Sequence, residues 1–314
     1  MPCVYIGVDI SKAFLDLHDP ARERSWRLAN TPDGIAGLLS ELPADCHLVF
    51  EATSVCDVVL RARLTAAGVP FTRINPSKAR HFAKFAGFLA KTDKVDAVML
   101  AALGATWCPP PTVEPSPARG RLSVLITRRA QLVDMRARER CRVQQLTEDD
   151  ADGLIAQSLT MLIATLGEAI DRIERAMRHL IRATPELAAL DETLRAVPGI
   201  GDINAAVLIA GLPELGSRNR RQIAGLAGLA PYAADSGTWR GKRKIQGGRR
   251  AVRRALYIAA VTGRRRGGDL ARTYDRLLDA GKPPKVAMIA VARKLLVRIN
   301  ATVREGTEYK TSTA

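Results

Sequence analysis

Four acidic side chains carry the chemistry that can be read most directly from this sequence. Asp93 and Asp96, within "AKTDKVDAVML" (90–100), stand three residues apart. On a helix that spacing puts two side chains on one face with Cβ atoms about 5–6 Å apart, near enough to share a cation. Alone, beside Lys91 and Lys94, such a pair is ordinary helix surface. It gains meaning from Asp9, near the end of the β-rich run "CVYIGVDI" (3–10), and from Glu51, the last residue of "HLVFE". Carboxylates from two strand ends and a crossing helix would line an oxygen site suited to Mg²⁺, which takes carboxylate and water in octahedral geometry. Two such ions about 3.5–4 Å apart can clamp the attacking and leaving oxygens of a phosphoryl displacement. That is nuclease or strand-transfer chemistry. Asp16 and Asp57 are nearby spares, and Asp57 reads as the start of a helix, where the dipole favours an acid.

The elements that must position these acids read as α/β. "CVYIGVDI", "AFLDLHD" (13–19) and "WRLAN" form an antiparallel meander. Thr31 or Asp33 caps a following amphipathic helix. "CHLVFEA" (46–52), the helical "VCDVVLRARLTAAG" and "VPFTRIN" (69–75) make a strand, helix, strand crossover, and Ser77 to about Thr106 is mostly helical. This order is that of an RNase H-like (RuvC-like) domain over 1–106, although other α/β sheets share it. "WCPPPTVEPSPARG" (107–120) holds five of the 17 prolines and reads as a linker without regular structure. Residues 121–146 read as one long helix. After "TEDDADG", Leu159, Leu162, Leu166, Ile170, Ile173, Met177 and Leu180 recur in steps of three and four on a second helix, a coiled-coil seam. Packing within one chain and between subunits are equally compatible with it. The region 121–190 is therefore set apart as a helical coiled-coil segment.

Charge then locates a partner. The net charge is +16, but residues 1–110 and 111–190 each carry only +1, whereas 191–314 hold 24 Lys and Arg against 10 Asp and Glu. That footprint suits a polyanion, and nucleic acid before a membrane surface. Aromatics at 4% offer few stacking platforms, so backbone contact is expected. Within this mainly helical C-terminal domain, "AVPGIGDINAAVLIA" (196–210) resembles a helix-hairpin-helix module. Backbone N–H groups around Gly199 and Gly201 would meet phosphates there. Arg249, Arg250, Arg253 and Arg254 lie on the cationic helix of "GGRRAVRRAL", and residues 285–303 read as a last amphipathic helix before a frayed tail. Apolar runs fall short of the ~18–20 residues of a membrane span, and no signal peptide opens the chain, so a cytoplasmic location without a membrane is expected. The five cysteines form no CxxC and read as structural free thiols.

"YIGVDISKAFLDL", "FEAT", "NPSKARHFAKFAGFLAKTDKVDA", the proline-rich break, "VPGIG" and "GLAPYAADSGTWRGKRKIQGGRRAVRRAL" together resemble the IS110 family of transposases, relatives of the Piv/MooV invertases. The resemblance covers nearly the whole chain. It implies a DEDD site of Asp9, Glu51, Asp93 and Asp96 holding Mg²⁺, and a C-terminal transposase domain whose serine is Ser236. It further implies strand cleavage and rejoining through a serine-linked phosphodiester, on target DNA and donor element ends. A structured noncoding guide RNA, the bridge RNA, and a homo-oligomer, dimer or tetramer, belong to the same expectation. Arg240, Lys242, Arg243 and Lys244 follow the serine and are placed to hold the scissile phosphate. A serine hydroxyl is a poor nucleophile without activation, and His18, His47, His81 and His179 all lie outside the last segment. A composite site, with the acidic domain supplying activation, is therefore expected. Taken without the resemblance, "DSG" is an ordinary turn. Three rivals remain: a hydrolytic RuvC-like nuclease or resolvase, a non-catalytic nucleic-acid-binding protein, and a sugar-kinase-like ATPase suggested by "GVDISK". The last lacks a glycine-rich second phosphate loop between 60 and 100.

Overall fold

A computed structural model describes residues 4–52, 55–88, 92–147, 153–233 and 235–307. The chain divides into two compact units, Met1–Glu114 and Pro115–Ala314.

The first unit is built on a five-stranded sheet. β1 (Val4–Ile10), β2 (Phe14–Asp19) and β3 (Arg24–Ala29) run antiparallel, while β4 (Cys46–Glu51) and β5 (Phe71–Ile74) join β1 in parallel, giving the order β3-β2-β1-β4-β5. That order fits an RNase H-like fold. Alternation along the strands sends side chains to opposite faces. Ile6, Val8, Leu48 and Phe50 face α1 (Pro32–Glu41) and α2 (Val58–Ala66), burying Ile35, Leu38, Leu60 and Leu64. Thr31, not Asp33, caps α1. The other face carries Val49 and Ile74 against α3 (Pro76–Phe85) and α4 (Asp93–Trp107).

The proline-rich stretch is shorter than its composition implies. Trp107 still belongs to α4, and α5 (Pro117–Val143) starts at a proline, which the first helical turn tolerates because its N–H needs no partner. What remains is stitched along β5. Thr112 N–H donates to Phe71 O at 2.7 Å, Thr72 Oγ1 donates to Pro110 O at 2.8 Å, and Arg61 pairs with Glu114.

In the second unit α5 forms a hairpin with α6 (Leu154–Ala183). The region read as a separate coiled-coil segment is not separate. Leu122, Leu125, Met177 and Ile181 share one buried cluster with α7 (Pro185–Arg195), α8 (Asp202–Gly211), α9 (Arg220–Leu226), α10 (Arg250–Arg265), α11 (Gly268–Asp279) and α12 (Pro284–Glu305). A small hairpin, β6 (Pro231–Tyr232) with β7 (Lys244–Ile245), interrupts the helices where only glycine and basic residues had been read. The expected tail lies from 308 onward outside the described residues.

α6 bears on the membrane reading without overturning it. It is the one described helix long and apolar enough to cross a bilayer by length and composition, with a window of mean hydropathy 1.3. Gln157, Ser158, Thr160 and Thr165 break up its apolar run in the sequence. Its buried residues Leu166 and Ile170 pack on Leu132 of α5. Nor are the cysteines uniformly structural: Cys46 is buried, but Cys108 and Cys141 are exposed, and Cys3 lies outside the described residues.

Candidate active site and nucleic-acid interface

A glycine places the acidic helix. A Cβ on Gly7 would stand 1.9 Å from Ala97 O and 2.5 Å from Ala101 N, so α4 lies directly on β1 only because residue 7 has no side chain. Gly104 meets Tyr5 and Val49 in the same way. Tyr5, Gly7 and Asp9 share one face of β1, so α4 runs back along the strand and its first turn, with Asp93 and Asp96, arrives over Asp9. Thr92 fixes that turn, its hydroxyl accepting from Val95 N–H. Glu51 lies at the end of β4 on the same face as Val49, one step beyond the Val8–Phe50 pair.

Asp9 registers this company electrostatically. Its carboxyl is pushed up to about 6, first by burial and then by the negative charge of Asp96, Asp93, Asp16 and Glu51. Like charges crowded at a desolvated edge favour whatever cation can enter. The donors are all carboxylates, which fit Mg²⁺ in kind. As placed, no three His, Cys, Asp or Glu side chains among the described residues are drawn close enough to hold a metal ion together. Part of the reason is visible in Arg27. Its Nε and Nη2 donate to Asp16 at 2.9 Å each, and Nη2 also reaches Asp93 at 3.0 Å. Asp16 stands directly across from Asp9 in the β1–β2 register. Asp57 stands at the N-cap of α2, the helix start at which it was read, but its side chain makes no capping bond there: it is a buried acid paired with Arg61 and Arg73 at 3.2 and 2.7 Å.

Ser236 lies in the second unit, exposed, on the loop between β6 and β7. It forms a two-way backbone bridge with Trp239, N–H to O at 3.1 and 2.9 Å, and Gly237 takes the left-handed conformation (φ +55°). This is the tight turn that the residue types favour. Asp235 accepts from Gly241 N–H at 3.1 Å and pairs with Arg240 at 3.6 Å. Among the described residues no base is hydrogen-bonded to the serine hydroxyl.

The basic residues separate into two kinds. Arg243, Lys244, Arg250, Arg253 and Arg254 line a groove of about 1030 Å³ between β7, α10 and α12, whose floor includes Tyr257 and Ile289. Lys285 and Arg293 of α12 complete its wall. Sequence reading missed these last two and Tyr257, although Arg250, Arg253, Arg254 and Tyr257 fall at helical spacing. Arg240, Lys242 and Lys244 border a smaller hollow, of about 480 Å³, beside Trp239 and Tyr232. Arg249 is not a free cation: it is paired through both Nη atoms with Glu214 and donates to Gly211 O at 3.1 Å. Gly199 is likewise taken up by packing. At φ +95° its Cβ position would be 2.2 Å from Ala259 O, so it lets the α7–α8 turn seat on α10. Gly201 is exposed at the N-cap of α8, but Asp202 and its partner Arg195, at 3.2 Å, already occupy that helix end.

A carboxylate edge on an RNase H-like sheet and a cationic helical unit are compatible with a DEDD-type transposase. Comparison with known proteins agrees. A family model described as "Transposase", for DEDD proteins of the IS110 kind, matches residues 6–149. A second, "Transposase IS116/IS110/IS902 family", matches residues 191–276. Both models describe transposases of the IS110 kind, and over those two segments the chain is similar to that family. It is 28% identical to the pilin gene-inverting proteins of Moraxella bovis and Moraxella lacunata, across 98% of each chain. It is 29% identical to an insertion element IS110 protein of Streptomyces coelicolor, over 53% of this chain and 44% of that one.

Proposed function

We propose that this protein recombines DNA for a mobile element, cutting and rejoining strands through a covalent link to Ser236. The observation that carries the reading is the convergence of Asp93 and Asp96 on Asp9 across Gly7. Asp9, Glu51, Asp93 and Asp96 would hold Mg²⁺, which supplies charge neutralisation and activation of the attacking oxygen. The Ser236 Oγ attacks the scissile phosphorus, an Oγ–P bond forms, and the P–O bond to the neighbouring nucleoside breaks, leaving a sugar hydroxyl. Attack by a hydroxyl of another strand reverses the step and frees the serine. The proton of Oγ passes to a group outside the turn, since among the described residues no base is hydrogen-bonded to the hydroxyl and Asp235 is engaged by Gly241 and Arg240. A composite site, assembled from acidic and serine units of different subunits in a homo-oligomer, meets that need. The groove of Arg243, Arg250, Arg253, Arg254, Lys285 and Arg293 would hold sugar–phosphate backbone of the DNA or of a structured guide RNA.

The exposed turn around Ser236 also suits a hydrolytic nuclease, in which water attacks and the serine only shapes the loop. One experiment separates the two. Protein incubated with element-end DNA, Mg²⁺ and the element's RNA is denatured and examined for a covalent protein–DNA band. The recombinase reading expects the band from wild type and none from Ser236→Ala, with DNA binding retained. Cleavage by Ser236→Ala at the wild-type rate would establish the hydrolytic reading instead.

A further inference from the structure

Arg27 sits where a metal would compete for the same ligand. It lies on β3, opposite Asp16 of β2, which in turn faces Asp9 of β1, so the three form one row across neighbouring strands. Both of its donors to Asp16 are at 2.9 Å in a fork-on-fork pair, and Asp16 is only 13% exposed. The contact to Asp93, at 3.0 Å, is different in kind, because that carboxylate is 61% exposed and makes a single bond. Exposed single pairs are worth little. Arg27 is thus anchored at one end and loosely latched at the other. We propose that Arg27 is a built-in counter-cation: it keeps Asp16 out of the ligand set, occupies one oxygen of Asp93, and releases Asp93 when a divalent cation enters.

This rests on the acidic edge being a metal site, and it assigns Arg27 a positioning role, not a catalytic one. Two consequences have opposite signs. In Arg27→Gln, Asp93 and Asp16 lose their competitor, so a divalent cation meets two more available carboxylates and binds more tightly. In Asp16→Asn, Arg27 loses its anchor and its full charge turns to Asp93, so the cation binds more weakly. A merely structural role for the pair would move both variants the same way, by loosening β2 against β3.

The test is calorimetric titration of the full-length protein with Mn²⁺, without nucleic acid, for wild type, Arg27→Gln, Asp16→Asn and Arg27→Lys. Circular dichroism checks folding. The expected result is Kd lowered three- to tenfold in Arg27→Gln, raised by a similar factor in Asp16→Asn, and close to wild type in Arg27→Lys. Unchanged or weaker binding in Arg27→Gln, or shifts of the same sign in the Gln and Asn variants, overturns the proposal. If Arg27→Gln does not fold, Arg27→Lys and Asp16→Asn still decide it, because unchanged affinity in Asp16→Asn contradicts the latch. Wild-type protein that takes up no Mn²⁺ would remove the metal-site reading, and this proposal with it.

Discussion

Asp9 is the residue on which burial and like charge act together, and its titration has a definite sign. The folded-state pKa is about 6, above the ordinary value of 3.8. A carboxyl raised in this way favours the folded state while protonated, and that contribution is lost as pH rises through the folded pKa. Metal-free Asp9→Asn should therefore be more stable than wild type at pH 8, with the advantage fading between pH 6 and pH 4. Urea melts at the two ends of that window measure it, and an advantage that grows on acidification would contradict the assignment. Gly7 offers a prediction of another kind. A methyl group there meets helix backbone at 1.9 Å, which no rotamer change can relieve. Gly7→Ala should lose at least about 1–3 kcal/mol, the usual cost of overpacking, because α4 must lift away from β1. A thermal melt matching wild type would show that α4 does not lie where Gly7 permits it.

At the scale of elements, period and turn chemistry made much of the fold readable. The strands alternate, Thr31 caps its helix, and Asp9, Glu51, Asp93 and Asp96 were each assigned to the element that bears them. What escaped depends on contacts far apart in sequence. Nothing near Arg249 announces Glu214, and the close seat of Gly199 on α10 is invisible until the helices pack. Arg27 is one arginine on an edge strand until Asp93, 66 residues away, is brought to it. Summing charge over 111–190 also concealed a segregation: α5 carries eight arginines against Asp134 and Glu139, whereas Glu148, Asp149, Asp150 and Asp152 follow it, gathered within the five positions 148–152 of the sequence. The α5–α6 hairpin yields its own prediction. Its proximal half is buried, but Leu154, Ile155, Met161 and Leu162 of α6 and Met135 of α5 are exposed, an apolar strip left without cover. Such strips mark interfaces, and a second copy with the same seam is the occupant that the proposed homo-oligomer would supply. Met161→Glu should shift the mass measured by light scattering from oligomer toward monomer at micromolar concentration, with helicity unchanged. An unaltered mass would move the interface elsewhere.

At the scale of the whole molecule, the two units divide the labour unequally. The first holds the acids and no net charge; the second holds the serine and all of the cationic excess. On the proposed mechanism neither is complete for strand transfer, because among the described residues no base is hydrogen-bonded to the Ser236 hydroxyl, and the first unit holds the acids without that serine. Completion can come from the same chain or from a neighbour, and the alternatives differ in what a mixed population does. Asp9→Asn lacks an acid but keeps the serine; Ser236→Ala keeps all the acids but lacks the nucleophile. If each active site joins the acids of one subunit to the serine of another, a mixed oligomer contains one site with both intact. Co-refolded or co-expressed variants should then form the covalent DNA adduct that neither forms alone, with every adduct on the Asp9→Asn chain. Distinct tags on the two chains read this out directly. If acids and serine act within one chain, every site in the mixture lacks one partner, and the band stays absent at any mixing ratio.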